Sequence, residues 1–157
     1  MNPERARPDD PPDLLTVAPL HTPRTPATGS VRVLIADDSE AYRRGLKRAI
    51  EGDPELEFVG EAVDGTDALA AILALTPEIA LLDIIMPTYS GLEVCQLLAR
   101  ESAPPETQVV LITGMINDRV IDRAQELGAA ACLSKELSRR QICEEVHRIA
   151  LRHRARA

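Results

Sequence analysis

Residues 79–83 read IALLD, an almost wholly apolar run that ends in a carboxylate. Residues 109–113 read VVLIT, a run of the same character that ends in a hydroxyl. Short runs without polar alternation are typical of strands that are buried on both faces of a parallel sheet. The two runs therefore predict buried strands whose carboxyl ends carry Asp83 and Thr113.

Working outward from these runs, apolar bursts alternate with helical patterns along the chain. The other bursts are residues 31–36, 56–62 and 131–134. Apolar residues recur at helical spacing after each burst, as Leu46 and Ile50 do after the first. Five strand–helix units predict an α/β fold with a parallel sheet that helices cover on both faces.

Capping residues and a glycine support the predicted helix ends. Ser90 and Ser138 are each followed three residues later by Glu or Gln, which predicts N-terminal capping boxes. Gly128 stands where the fourth helix should stop.

The chain divides into three segments by composition. Residues 1–30 hold seven of the twelve prolines and no apolar periodicity, so we expect a disordered, proline-rich tail. Residues 31–151 hold the five units and form the predicted domain. Residues 152–157 form a basic C-terminal end. We expect arginines such as Arg154 to be solvated there, because the helix dipole favours cations at the C-terminus of a helix.

Composition excludes several classes of function. The net charge is −7 and only three residues are aromatic, which disfavours a basic nucleic-acid surface or a base-stacking platform. No apolar run approaches the roughly eighteen residues that span a bilayer. Cys95, Cys132 and Cys143 are odd in number and lack metal-ligand spacing, which favours reduced thiols in the cytoplasm.

The carboxyl ends of the predicted strands carry the polar residues that could do chemistry. They are Asp37, Asp38, Asp83, Thr113 and Lys135. In open parallel sheets the functional crevice lies at this edge, so the five side chains should converge. Three adjacent carboxylates repel one another unless a cation shares them, and oxygen donors without His or thiolate suit Mg²⁺ or Mn²⁺. Together with a lysine, this set favours phosphoryl transfer to a carboxylate.

Four blocks of the sequence resemble the signature blocks of response-regulator receiver domains. Among these domains, the blocks are most similar to those of the NarL/FixJ group. They are VLIADDSEAYRRGL, ALLDIIMPTYSGLEV, VVLITG and LSKE. The resemblance covers about residues 31–150 and implies the flavodoxin-like (βα)₅ doubly wound sandwich with strand order 2-1-3-4-5.

The resemblance also implies roles for individual residues. Asp83 corresponds to the phosphoacceptor and a metal ligand, Asp38 to a direct metal ligand, and Asp37 to a ligand acting through water. The backbone carbonyl of Ile85 corresponds to a further ligand of the metal.

The switch residues follow the family pattern in part. Thr113 corresponds to the hydroxyl that follows the phosphoryl group on activation, and Lys135 to its salt-bridge partner. The family usually places an aromatic residue two or three positions before this lysine, whereas Cys132 stands there in this chain. Many receivers have proline after the lysine, and this chain has Glu136.

The function implied by the resemblance is that of a cytoplasmic single-domain response regulator. It would accept a phosphoryl group from a sensor histidine kinase or phosphotransfer protein and signal to an unknown downstream protein. Beyond assisting its own phosphorylation and dephosphorylation it would not be an enzyme, and it would need neither a membrane nor a DNA-binding domain. A homodimer, if one forms, would use the face of the fourth helix, fifth strand and fifth helix.

Two alternatives remain open at this point. One is a pseudo-receiver that docks partners without phosphorylation, which the missing aromatic mildly favours. The other is a truncated NarL-type transcriptional regulator without its helix-turn-helix, since the six residues after Leu151 cannot build one.

Overall fold

Five strands and five helices alternate in the computed structural model, which describes residues 29–102 and 104–156. The strands are β1 (Val31–Ala36), β2 (Leu56–Ala62), β3 (Ile79–Asp83), β4 (Gln108–Thr113) and β5 (Ala131–Ser134). The helices are α1 (Glu40–Glu51), α2 (Gly65–Leu75), α3 (Gly91–Ala99), α4 (Asp118–Glu126) and α5 (Arg139–Ala155). Residues 1–28 of the predicted tail lie outside the described residues.

The strands form one parallel sheet in the order β2-β1-β3-β4-β5, which confirms the predicted fold and strand order. β3 lies at the centre of the sheet, and all five of its residues are buried. This placement explains why its sequence lacks polar alternation, since helices cover both of its faces.

Two apolar layers hold the helices against the sheet. On one face, strand residues such as Ile35 pack with Leu46 of α1 and Ile142 of α5. On the other face, strand residues such as Leu34 pack with residues of α2 and α3, among them Ile72. Alternate residues of one strand thus serve opposite layers, as the period of two in a strand requires.

The predicted helix ends are confirmed. Ser90 and Ser138 form capping boxes, in which the serine accepts a hydrogen bond from the backbone of Glu93 or Gln141. Gly128 follows Leu127, the C-cap residue of α4, with a φ of +86°, a left-handed conformation that glycine adopts without steric penalty.

α5 runs past residue 151, the predicted end of the domain, and stops at Ala155. Arg154 is exposed at the end of α5, and its guanidinium makes two hydrogen bonds of 2.7 Å to the carboxylate of Glu78. It also donates to the backbone carbonyl of Gly29 at 2.9 Å. A planar guanidinium matches a carboxylate in this paired geometry, which fastens the end of α5 to the loop before β3.

Among the described residues, no helix is both long and apolar enough to cross a membrane.

Candidate functional site

Lys135 joins two buried carboxylates at the carboxyl edge of the sheet. Its Nζ lies 3.0 Å from Oδ2 of Asp83 and 2.8 Å from Oδ2 of Asp37. Asp37 and Asp83 are 1% and 6% exposed, so this ammonium supplies positive charge where water is largely excluded. The structure therefore brings together three of the residues that the sequence placed at separate strand ends.

The three aspartates are arranged as a cation site of oxygen donors. Asp37, Asp38 and Asp83 each offer a carboxylate oxygen, and these oxygens lie within 4.8 Å of one another. Oδ2 of Asp37 is buried and accepts no well-aligned hydrogen bond, although it touches the Lys135 ammonium. A buried carboxylate oxygen without a well-aligned hydrogen bond, beside the exposed carboxylate of Asp38, fits a hard cation such as Mg²⁺.

The backbone around the two buried aspartates fixes their orientation. Oδ1 of Asp37 accepts a hydrogen bond of 2.8 Å from the amide of Ser39, and Arg43 donates to the carbonyl of Asp37 at 2.7 Å. Oδ1 of Asp83 accepts from the amide of Ile85 at 3.2 Å. These contacts follow from the turns that connect each strand to its helix.

A glycine is required behind Asp83. A Cβ atom on Gly91 would lie 2.6 Å from the carbonyl oxygen of Asp83, closer than two such atoms can approach. The amide of Gly91 also donates to the carbonyl of Ile84 at 2.9 Å. The absence of a side chain therefore lets α3 begin directly against the end of β3.

The electrostatics of Asp83 and Lys135 are coupled. Burial raises the pKa of Asp83, and the charge of Asp37 adds to this rise, while the Lys135 hydrogen bond opposes it. Burial alone would lower the pKa of Lys135, but its contacts with the Asp37 and Asp83 carboxylates outweigh burial and raise it. The lysine is thus held as a cation, and burial makes the Asp83 carboxyl harder to ionise than an exposed aspartate.

Thr113 lies at the end of β4, 4% exposed, and its hydroxyl faces its own loop. Its Oγ1 accepts a hydrogen bond of 3.1 Å from the amide of Met115. The carbonyl of Thr113 accepts from the amide of Lys135 at 2.8 Å, which ties the β4 and β5 ends together. The structure therefore places Thr113 at the carboxyl end of β4, joined through its backbone to Lys135.

Sequence reasoning missed an aromatic contact at the site. The Tyr42 ring lies 4.6 Å from Lys135 Nζ and 4.2 Å from the guanidinium carbon of Arg139, so both cations contact its π face. Its hydroxyl is buried and has no hydrogen-bond partner among the described residues. Tyr42 lies in the first turn of α1, four positions after Asp38, and this position could have indicated from the sequence that its ring lies near the site.

Cys132, which stands where the family usually has an aromatic residue, is half-buried in β5 opposite Leu111. It packs against the layer that holds α2 and α3. All three cysteines are free thiols, and burial raises the pKa of Cys132 above its ordinary value.

The family model of the response regulator receiver domain matches residues 33–147. This chain belongs to that family. The family acts in two-component systems, and its members bind Mg²⁺ through acidic residues and interact with histidine kinases or phosphotransfer proteins. The resemblance stated from the four sequence blocks is therefore confirmed.

Individual relatives place this receiver among NarL-like proteins. It is 36% identical over 121 residues to a probable transcriptional regulatory protein NarL of Mycobacterium tuberculosis, covering 77% of this chain and 55% of that protein. It is 31% identical over 116 residues to the transcriptional regulatory protein LiaR of Bacillus subtilis, covering 74% and 54%. The receiver thus spans about half the length of these relatives.

A solved structure agrees with the sequence comparison. The signal receiver domain of NarL from Mycobacterium tuberculosis superposes with a TM-score of 0.73 at 36% identity, covering 77% of this chain and 96% of that domain. At this identity the likeness supports the family as well as the fold.

Proposed function

We propose that this receiver accepts a phosphoryl group on Asp83 from the phosphohistidine of a sensor kinase or phosphotransfer protein. The observation that carries the proposal is the position of Asp83, which lies within 4.8 Å of two further carboxylates and 3.0 Å from Lys135. No role in shaping the core requires three carboxylates and an ammonium at one edge of the sheet. With a cation bound to its carboxylates, such a group is suited to accept and release a phosphoryl group.

The proposed step forms one bond and breaks one bond. A carboxylate oxygen of Asp83 attacks the phosphorus of the phosphohistidine in line, a P–O bond forms, and the P–N bond to the imidazole breaks. Lys135 already touches Oδ2 of Asp83, so its ammonium is in place to neutralise charge on the phosphoryl oxygens. Thr113 would then exchange its local hydrogen bond with Met115 for one to the phosphoryl group.

We propose that Asp37, Asp38 and Asp83 hold Mg²⁺, or Mn²⁺ in its place, with the carbonyl of Ile85 as a further ligand. The cation supplies charge neutralisation for the phosphoryl oxygens. The Asp38 side chain is exposed to solvent, so it can approach a hydrated cation. Asp37 is buried, and its contacts with Ser39 and Lys135 fix its position.

Labelling with a small phosphodonor tests this function. We expect acetyl phosphate with Mg²⁺ to phosphorylate the wild type, chelation of Mg²⁺ to stop the reaction, and Asp83→Asn to show no labelling on a phosphate-affinity gel. Asp64→Asn is the matched control, because Asp64 caps α2 through a backbone hydrogen bond at the same edge of the sheet. Wild-type protein that is never labelled by acetyl phosphate or by a phosphorylated kinase would support the pseudo-receiver alternative instead.

We further propose that the receiver resides in the cytoplasm, signals through protein contacts and catalyses no reaction beyond its own phosphorylation and dephosphorylation. A pull-down with phosphorylated and Asp83→Asn protein tests this output. A partner retained only by the phosphorylated form supports it, and specific binding to DNA by this chain would contradict it.

A further inference from the structure

A second group of metal-ligating side chains lies at the other end of the sheet. Asp53 and Glu55 belong to the loop between α1 and β2, and His147 faces them from α5. One donor atom from each of the three residues lies within 4.8 Å of the other two. This group shares no residue with the aspartates around Lys135, and the proposed phosphorylation does not use it.

The loop holds these donors in place. Oδ1 of Asp53 accepts a hydrogen bond of 3.0 Å from the amide of Glu55, which leaves Oδ2 directed at the imidazole. Oδ2 lies 2.7 Å from Nε2 of His147, and Oε2 of Glu55 lies 3.8 Å from Nδ1. The first distance is a strong hydrogen bond, so the carboxylate and the imidazole are already in contact before any ion arrives.

Space for a hydrated ion lies beside the three donors. An open groove of about 580 Å³ lies between α1 and α5, and Arg48 and Arg140 line it together with Asp53, Glu55 and His147. An ion bound by the three side chains could complete its coordination with water from this space.

We propose that Asp53, Glu55 and His147 form a second metal site, selective for a first-row transition ion such as Zn²⁺. An imidazole nitrogen with two carboxylates is a donor set of zinc sites, whereas Mg²⁺ prefers oxygen donors alone. Zn–N and Zn–O bonds are about 2.0–2.2 Å long, so the ion would bind Nε2 of His147 and Oδ2 of Asp53. The Glu55 carboxylate, which is exposed and faces Nδ1, would have to rotate towards that ion. The ion would link α5 to the loop that enters β2.

Zinc titration tests the site, with excess Mg²⁺ added to compete for the aspartate group around Asp83. We expect one Zn²⁺ to bind the full chain by calorimetry, and His147→Gln to weaken that binding by about tenfold or more. Asp53→Asn should do the same while keeping the loop, since the asparagine Oδ1 can still accept from the Glu55 amide.

One control variant should bind Zn²⁺ as the wild type does. His153→Gln removes another imidazole of α5 that lies outside the proposed site. Co²⁺ should give a visible absorption band in the wild type that His147→Gln abolishes. No Zn²⁺ binding in excess Mg²⁺, or equal binding by His147→Gln, would show that the group is only a tether between α5 and the loop.

Discussion

Lys135 Nζ lies 3.0 Å from Oδ2 of Asp83, although the two residues are 52 positions apart. Asp83 ends β3 and Lys135 follows β5, and these strands are not neighbours in the sheet. β4 lies between them, so only the shared edge of the sheet brings the two side chains together. The contact also makes the stability of the domain depend on the charge state of its proposed phosphoacceptor.

Replacing Asp83 by asparagine should stabilise the metal-free domain. Burial and the charge of Asp37 raise the pKa of Asp83 in the folded state, so its ionised form destabilises the fold at neutral pH. This penalty disappears as the pH falls through the folded pKa towards the unfolded value near 4. Thermal unfolding should show a higher Tm for Asp83→Asn at neutral pH and a smaller difference near pH 4. A lower Tm for the variant at neutral pH would contradict this account.

Mg²⁺ should raise the Tm of the wild type, because it binds the native state. At a concentration tenfold above its Kd the gain is about 1.4 kcal/mol, or roughly 3–5 °C for a domain of this size. Asp38→Ala should remove most of the gain without opening a cavity, since Asp38 is exposed. A thermal shift across millimolar Mg²⁺ measures this, and an unchanged wild-type curve would argue against the site.

Lys135→Met should destabilise the metal-free domain, because it leaves two buried carboxylates without their cation. Breaking a buried pair costs about 3–5 kcal/mol, and since a quarter of the Lys135 side chain is exposed we expect about 1–3 kcal/mol. Mg²⁺ should then stabilise the variant more than the wild type, as it replaces the lost charge. Urea denaturation with and without Mg²⁺ measures both effects. Lys47→Met is the control, since that lysine instead faces Phe58.

Cys132→Tyr should enlarge the conformational response to phosphorylation. An aromatic side chain packing behind Thr113 would supply about 1–3 kcal/mol of contact that differs between the two states, and the smaller thiol supplies only part of it. Hydrogen exchange over residues 114–143, with and without phosphorylation, measures the response in both proteins. The labelling rate should not change. A wild type that already switches fully would show that Cys132 does not limit the response.

Arg154→Ala should reduce the free energy of unfolding by about 0.5–1 kcal/mol, because it removes a paired guanidinium–carboxylate contact that is partly exposed. High salt should narrow the difference from the wild type. Arg152→Ala, on the same turn of α5 and exposed, is the matched control and should leave stability unchanged. An equal loss in both variants would attribute the effect to the helix end and not to Glu78.

The strands and helix ends were predictable because their causes are local. Four strand bounds agree with the apolar runs, and β4 begins one residue earlier, at Gln108, whose amide pairs with the loop before β3. A capping box needs only residues three positions apart, so Ser90 and Ser138 are visible in the sequence. The end of α5 could not be predicted from local sequence, because a hydrogen bond from Arg154 to the distant Glu78 stabilises its last turn.

The candidate site divides in the same way between sequence and structure. The sequence alone placed five polar residues at the carboxyl ends of strands, namely Asp37, Asp38, Asp83, Thr113 and Lys135. The rule that parallel strands share one carboxyl edge predicted their convergence. Only the tertiary structure decided that Lys135 bridges Asp37 and Asp83, that Tyr42 lies against this lysine, and that His147 meets Asp53. These contacts join side chains on different elements, and their geometry depends on how the helices pack against the sheet, which no local pattern of residues encodes.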